Sequence, residues 1–342
     1  MKRLFLLYAI VVLFAAPAVI AQIAGEVLLA DDGALYATAT EWSRDHPDVD
    51  AKSESYITVT IRRASDAAQR LIVPATLQGG TNTNPAIAYD NASATLFVFW
   101  QYWPNMMSSE MKFISYHAET GWSAPASFDE ASYSLRRSLR IALTRTAADK
   151  DDDGRITWVS EVNVHATWWE ETGGGESANY AMITIRDGEA AAQVHDLASF
   201  VTSKTETKEI DPDANRELLR HPAIFEAADG RSVDIVFGEL ASNKFHRVSI
   251  SPIGNARVRV PVGIQDKTFE PPPSISAMSA VARIDAISPA PERMVFYYEL
   301  DGVMHYLLYR DGKWSGEKTM AIDEHTSRST ILAGMRNLVG AQ

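Results

Sequence analysis

Asn84-Pro85-Ala86-Ile87-Ala88-Tyr89-Asp90 is followed, after a polar break, by Leu96-Phe97-Val98-Phe99-Trp100-Gln101. Both runs are too short for a helix of ordinary length, are bounded by turn-forming residues, and are apolar on successive positions, which is the pattern of strands buried on both faces. The second run ends in a carboxamide, and that ending recurs. Short apolar or β-branched runs close on Glu41, Gln101, Glu161, Glu239 and Glu299, separated by 60, 60, 78 and 60 residues. A second series, Thr83, Arg137, Arg220, Ser274 and Arg328, is spaced 54, 83, 54 and 54, and the residue four further on is apolar each time: Ile87, Ile141, Ile224, Met278 and Leu332. Self-similarity at a period of tens of residues, carried by strands, is the mark of a repeat in which each unit is one small sheet.

The second series gives the innermost strand of each unit. The acid series gives the second strands, Leu35 to Glu41, Leu96 to Gln101, Ile156 to Glu161, Val233 to Glu239 and Met294 to Glu299. Paired segments around turns supply the rest, as in Lys112 to Tyr116 with Trp122 to Ser127, or His305 to Tyr309 with Lys313 to Ala321. Turn residues sit between such pairs at Glu119-Thr120-Gly121, Asp187-Gly188, Ile253-Gly254 and Asp311-Gly312. The fold expected is therefore all-β, a five-bladed β-propeller of four-stranded antiparallel blades. The chain starts on a second strand and ends on an inner one, so the ring is expected to close by pairing of N- and C-terminal strands, with 328–338 beside Leu35 to Glu41. The blades then fall roughly at 24–80 plus 326–338, 81–130, 131–200, 215–266 and 270–325.

Antiparallel pairing of inner and second strands predicts neighbours of opposite charge, namely Arg137 with Glu161, Arg220 with Glu239 and Arg328 with Glu41. Thr83 with Gln101 is the neutral version, and Ser274 with Glu299 departs from the rule. The repetition of these pairs suits a ring of structural ion pairs.

The first 21 residues read as an export signal: Lys2 and Arg3, an apolar run from Leu4 to Phe14, then Pro17 and small residues to Ala21. Cleavage after Ala21 leaves a domain of 22–342, and a retained anchor over Leu4 to Ala21 is the alternative, at the short end of what spans a bilayer. The expectation is an extracytoplasmic protein, periplasmic or secreted, with no stable membrane insertion after signal removal. The chain has no cysteine, so burial of a core rather than disulfides must hold it, and about 320 mature residues suffice for that. Removing Lys2 and Arg3 takes the formal charge from −12 to −14. That charge, with no cluster of lysine and arginine against it, argues against a nucleic-acid partner.

At Asn84 to Asp90, Gly121-Trp122-Ser123-Ala124-Pro125 and Gly312-Lys313-Trp314-Ser315 the chain resembles the sialidase-like, BNR-repeat-bearing β-propellers. The resemblance covers most of the mature chain and implies the propeller. It departs from the family's aspartate box, because Asp151-Asp152-Asp153-Gly154-Arg155-Ile156-Thr157-Trp158 places its Thr-Trp pair one residue late. Arg137, Arg220 and Arg328 match the family's arginine triad in number only, and no tyrosine nucleophile can be assigned.

Asp149, Asp151 and Asp153 before Gly154 form a DxDxDG loop that suits either a structural calcium ion or a solvated acidic turn. The loops leaving the second strands share one face. On it are expected Trp42, Tyr102, Trp103, Arg137, Arg220, Arg328, and a long loop from Asn163 to Asn179 with His165, Trp168, Trp169, Glu170 and Glu171. An interblade segment from Ser199 to Glu217 joins them there. Aromatic rings beside carboxylates and arginines suit a glycan, whose CH faces stack while its hydroxyls find charged partners; tryptophans at strand ends also suit packing between blades. Three functions fit: a binding or scaffold module for a glycan or protein ligand, a glycoside hydrolase using Glu161 and Glu239 with Glu41 or Glu299, and a partner-binding subunit of an envelope complex.

Overall fold

The computed structural model describes residues 22–28, 36–43, 52–62, 67–90, 93–132, 134–146, 149–150, 156–157, 161–173, 175–186, 189–200, 222–226, 232–239, 244–255, 258–269, 285–290 and 293–321. They form five antiparallel blade sheets arranged as a β-propeller and one separate two-stranded sheet, with two short 3-10 turns at Pro74–Leu77 and Leu197–Phe200.

Blade 1 holds β1 (Gln22–Leu28), β2 (Tyr36–Ser43), β3 (Ser55–Arg62) and β4 (Gln69–Ile72). Blade 2 holds β5 (Thr81–Asp90), β6 (Thr95–Asn105) and β7 (Ser108–His117), with its outer strand broken into β8 (Gly121–Trp122) and β9 (Ala126–Ser132). In blade 3, β10 (Leu135–Thr146) is followed by a small hairpin of β11 (Asp149–Lys150) and β12 (Ile156–Thr157). The blade then continues through β13 (Glu161–Thr172), β14 (Gly175–Arg186) and β15 (Glu189–Asp196). Blade 4 contains β16 (Ala223–Glu226), β17 (Val233–Glu239), β18 (Lys244–Asn255) and β19 (Val258–Phe269). Blade 5 contains β20 (Asp285–Ala290), β21 (Arg293–Leu300), β22 (Val303–Arg310) and a second broken outer strand, β23 (Lys313–Trp314) with β24 (Lys318–Ala321). The first strands β1, β5, β10, β16 and β20 neighbour one another in succession, so they are the inner strands.

The run from Leu96 to Trp100 shows why such segments are apolar throughout. Side chains alternate across a strand. Leu96, Val98 and Trp100 pack with Ala37, Ile57 and Val59 of blade 1, whereas Phe97 and Phe99 pack with Leu139, Val164 and Trp168 of blade 3. Each face of the blade meets a neighbouring blade, and no face is left for water. The next interface repeats the arrangement, with Tyr180 and Met182 of blade 3 against Ile235 and Phe237 of blade 4.

The turns follow local chemistry. Asp301 and Gly302 have φ of 51° and 73°, and Asp311 and Gly312 have 54° and 76°, the left-handed pairs that a two-residue hairpin needs to match strand twist. Ile253 and Gly254 lie within β18 rather than at a turn, and the pairing continues to Asn255 opposite Val258.

Three expectations are corrected. In blade 1, β2 pairs with β1 on one edge and with β3 on the other, so the direct pairing expected between 328–338 and Leu35 to Glu41 is not the one β2 makes. Arg328 and Leu332 lie outside the described residues. In blade 3 the second strand is β13, not Ile156 to Glu161, and the supposed loop from Asn163 to Asn179 is the β13–β14 hairpin. The 78-residue gap in the acid series reflects this slip. In blade 5 the inner strand described is β20, with Ile287 opposite Val295, and Ser274 and Met278 lie outside the described residues.

Candidate ligand-binding face

At one end of the ring the second strands hand over to the third, with Ser43 opposite Ser55, Asn105 opposite Ser108, Thr172 opposite Gly175, Glu239 opposite Lys244 and Leu300 opposite Val303. The inner strands β5 and β10 begin at the same end, where Thr81 lies opposite Trp103 and Leu135 opposite Glu171.

A network across three blades organises this end. Asn84 sits in a bulge of β5 with φ of 52°. Its main-chain N–H donates to Glu41 Oε2 at 3.3 Å in blade 1. Its side-chain amide donates to Gln101 Oε1 at 3.1 Å and to the Arg136 carbonyl at 3.2 Å in blade 3. Ser138 has φ of 56° in the equivalent bulge of β10, which confirms the 54-residue step between Thr83 and Arg137. Thr83 pairs with Gln101 as the spacing predicts, and its hydroxyl lies 3.5 Å from Gln101 Oε1. Burial pushes the Glu41 carboxyl above its usual range, and the Asn84 N–H acts against this.

Arg136, which sequence reasoning passed over in favour of Arg137, is the buried cation here at 2% exposure. Its Nη2 lies 2.5 Å from Asp129 Oδ2 and its Nε 3.5 Å from Glu170 Oε1, with the guanidinium 5.9 Å from the Trp168 ring centroid. Asn179 Nδ2 donates to Glu170 Oε2 at 2.9 Å. Burial raises the Asp129 carboxyl, the Arg136 charge lowers it, and the Glu170 charge adds to the rise. Alternation would have flagged Arg136: Arg137 lies opposite Trp169 and is exposed, so its neighbour must face blade 2.

The expected Arg137–Glu161 pair does not form, because Glu161 starts β13 and lies opposite Thr146 at the other end of the blade. Three aromatic candidates move from the face into the core. Trp168 and Trp169 are buried between blades. His165 is buried between Thr144 Oγ1 and the Tyr180 hydroxyl, each at 2.8 Å, and burial lowers its pKa to about 3. Trp42 is half-buried, donating from Nε1 to Thr58 Oγ1 at 2.8 Å beneath the Arg70 guanidinium at 4.7 Å. Tyr102 and Trp103 stay half-buried at this end, with Lys112 Nζ 3.9 Å from the Tyr102 centroid. Gly80, at φ of 68°, lies so close that a Cβ there would overlap the Trp103 carbonyl and the Tyr102 ring.

Glu239 and Glu299 fall near the ends of β17 and β21 at this face, opposite Lys244 and Met304. Their side chains, like that of Glu161, and the whole of Arg220 lie outside the described residues. Asp149 is in β11, and the side chains of Asp149, Asp151 and Asp153 are likewise outside them; the hairpin lies at the opposite end, between β10 and β13. Among the described residues no group of three or more His, Cys, Asp or Glu side chains converges for a metal ion.

No protein-family model matches this chain, and no curated protein sequence does. Among solved structures it is similar to a mutant of AofleA from Arthrobotrys oligospora, at 8% identity and a TM-score of 0.36, over 88% of this chain and 86% of that one. It is similar to a puromycin-hydrolyzing peptidase of Mycobacterium tuberculosis at 11% identity and 0.37, over 90% and 39%. A mutant of the NanB sialidase from Streptococcus pneumoniae matches at 8% and 0.32, over 91% and 53%. These are likenesses of fold alone.

Proposed function

We propose that this propeller is an extracytoplasmic binding module that holds a glycan or protein ligand on the face bearing Tyr102, Trp103 and Arg137. The observation that carries this reading is the engagement of three acids of this face. Asp129 and Glu170 flank the buried Arg136, and Glu41 accepts from Asn84. A hydrolase needs two carboxyls free to meet a sugar. What remains open to a ligand is a half-buried aromatic pair and an exposed guanidinium. The second reading, glycoside hydrolysis, is favoured by one feature: the raised pKa of Glu41 is what a general acid requires.

A glycan array and a panel of protein ligands, run beside chromogenic glycosides with Trp103→Ala and Glu41→Gln, test the choice. Binding by wild type without turnover, lost in Trp103→Ala and kept in Glu41→Gln, is expected. Turnover that disappears in Glu41→Gln would install the second reading.

The apolar run after Lys2 and Arg3 supports export, and removal of 1–21 leaves every described strand intact. N-terminal sequencing of the exported chain should begin at Gln22. At the DxDxDG hairpin, calcium would brace the β10–β13 connection, away from the ligand face. A rise in Tm on adding calcium that Asp151→Asn removes is the expected result.

A further inference from the structure

Four large hydrophobic side chains are exposed among the described residues, and the two most exposed are neighbours, Met106 at 94% and Met107 at 51%. They form the whole two-residue turn between β6 and β7, since Asn105 pairs with Ser108. The same turn in blade 5 is Asp301–Gly302, in the left-handed conformation that favours those residues. In blade 3 Thr172 lies opposite Gly175, and the sequence between them is two glycines. Neither methionine of this turn has positive φ, so hairpin chemistry does not select them. The tip is held in place by Asn105 Oδ1, which accepts from the Met107 N–H at 2.8 Å and from the Ser108 hydroxyl at 3.4 Å. Met111, Met182, Met294 and Met304 are instead buried at 1–3% exposure.

We propose that the Met106–Met107 turn is a modification site, oxidised selectively by hydrogen peroxide to methionine sulfoxide. The thioether sulfur attacks one peroxide oxygen, the O–O bond breaks and an S–O bond forms. Sulfur is oxidised by two electrons, and the second oxygen leaves as water. The product is polar where the thioether was apolar, so the tip of the proposed ligand face changes its chemistry while the core methionines are spared. Site selectivity rests on exposure alone; the consequence for a ligand rests on the binding reading.

The test treats the full chain with hydrogen peroxide and follows each methionine by peptide mass mapping at early times, with far-UV circular dichroism confirming the fold. Met106 and Met107 should oxidise at least ~10-fold faster than Met111, Met182, Met294 and Met304, and a methionine sulfoxide reductase should reverse the change. In denaturant the difference should vanish. Met106→Leu with Met107→Leu should remove the fast phase. Equal rates for Met106 and Met111 in the folded chain, or a fast phase that survives both substitutions at buried methionines, would overturn the proposal. Fast oxidation with no ligand found on this face would sink only the binding reading.

Discussion

The Asn84 side-chain amide donates to the Arg136 main-chain carbonyl at 3.2 Å, tying the bulge of one blade to the inner strand of the next. The main-chain N–H of Asn84 meanwhile reaches Glu41 in the blade before. One residue therefore sets the spacing of three blades at the proposed ligand face, and its left-handed φ is what aims both donors.

Asn84→Ala should remove two side-chain hydrogen bonds and place a Cβ-bearing residue without a compensating amide at positive φ. A loss of about 1–3 kcal/mol in urea unfolding is expected. Asn84→Gly keeps the backbone conformation and should recover part of that loss. Equal stability of wild type and Asn84→Ala would remove the network's structural role.

Arg136→Met should be far more costly than Arg137→Met. It leaves Asp129 and Glu170 partly buried without their cation, a change worth about 3–5 kcal/mol for a buried pair broken on one side. Arg137 is exposed, and its replacement should change stability by less than about 0.5 kcal/mol. Adding Asp129→Asn and Glu170→Gln to Arg136→Met should restore much of the loss, as read by the denaturation midpoint.

Glu41 gives a pH dependence of defined sign. Its folded pKa lies above the ordinary value of 4.5 because burial disfavours the carboxylate. The folded state therefore binds the proton more tightly than the unfolded one, and the associated stability is full below pH 4.5 and lost as pH rises through the folded pKa. Glu41→Gln should be more stable than wild type at pH 7, with the advantage shrinking in acid. A constant difference across pH 4 to 7, as about the span to be measured, would contradict the assignment.

His165 gives the opposite sign. Burial lowers its pKa from 6.5 to about 3, so the unfolded chain takes up a proton that the folded chain refuses. Its contribution is present above pH 6.5 and is lost as pH falls toward about 3. The His165 imidazole resonances should stay those of the neutral ring from pH 8 to pH 5, as about the accessible range for the folded protein. A midpoint near 6 to 7, about the value of a solvated histidine, would mean that the ring is not buried.

The repeat was legible because every inner and second strand must be apolar enough to meet a blade on each side. The Thr83-to-Arg137 step survived intact because both residues precede the same bulge. The acid series was less secure. An acid at a strand end is a weak mark, and Glu161 carries it at the start of β13 rather than the end. A hairpin inserted between β10 and β13 put the reading out of step, and Trp168, Trp169 and His165 were then placed on a loop although they belong to a core strand.

By itself the sequence determined the class of fold and the number of blades, since runs apolar on successive positions and the spacing at which they recur are written in the chain before it packs. Which strand completes blade 1 was decided only in three dimensions. The edge of β2 accepts one partner, and β1 takes it through main-chain bonds that carry no side-chain signature. The choice of Arg136 over Arg137 was likewise tertiary, because a single bulge fixes which of two adjacent arginines turns inward to Asp129 and Glu170 and which is left to water.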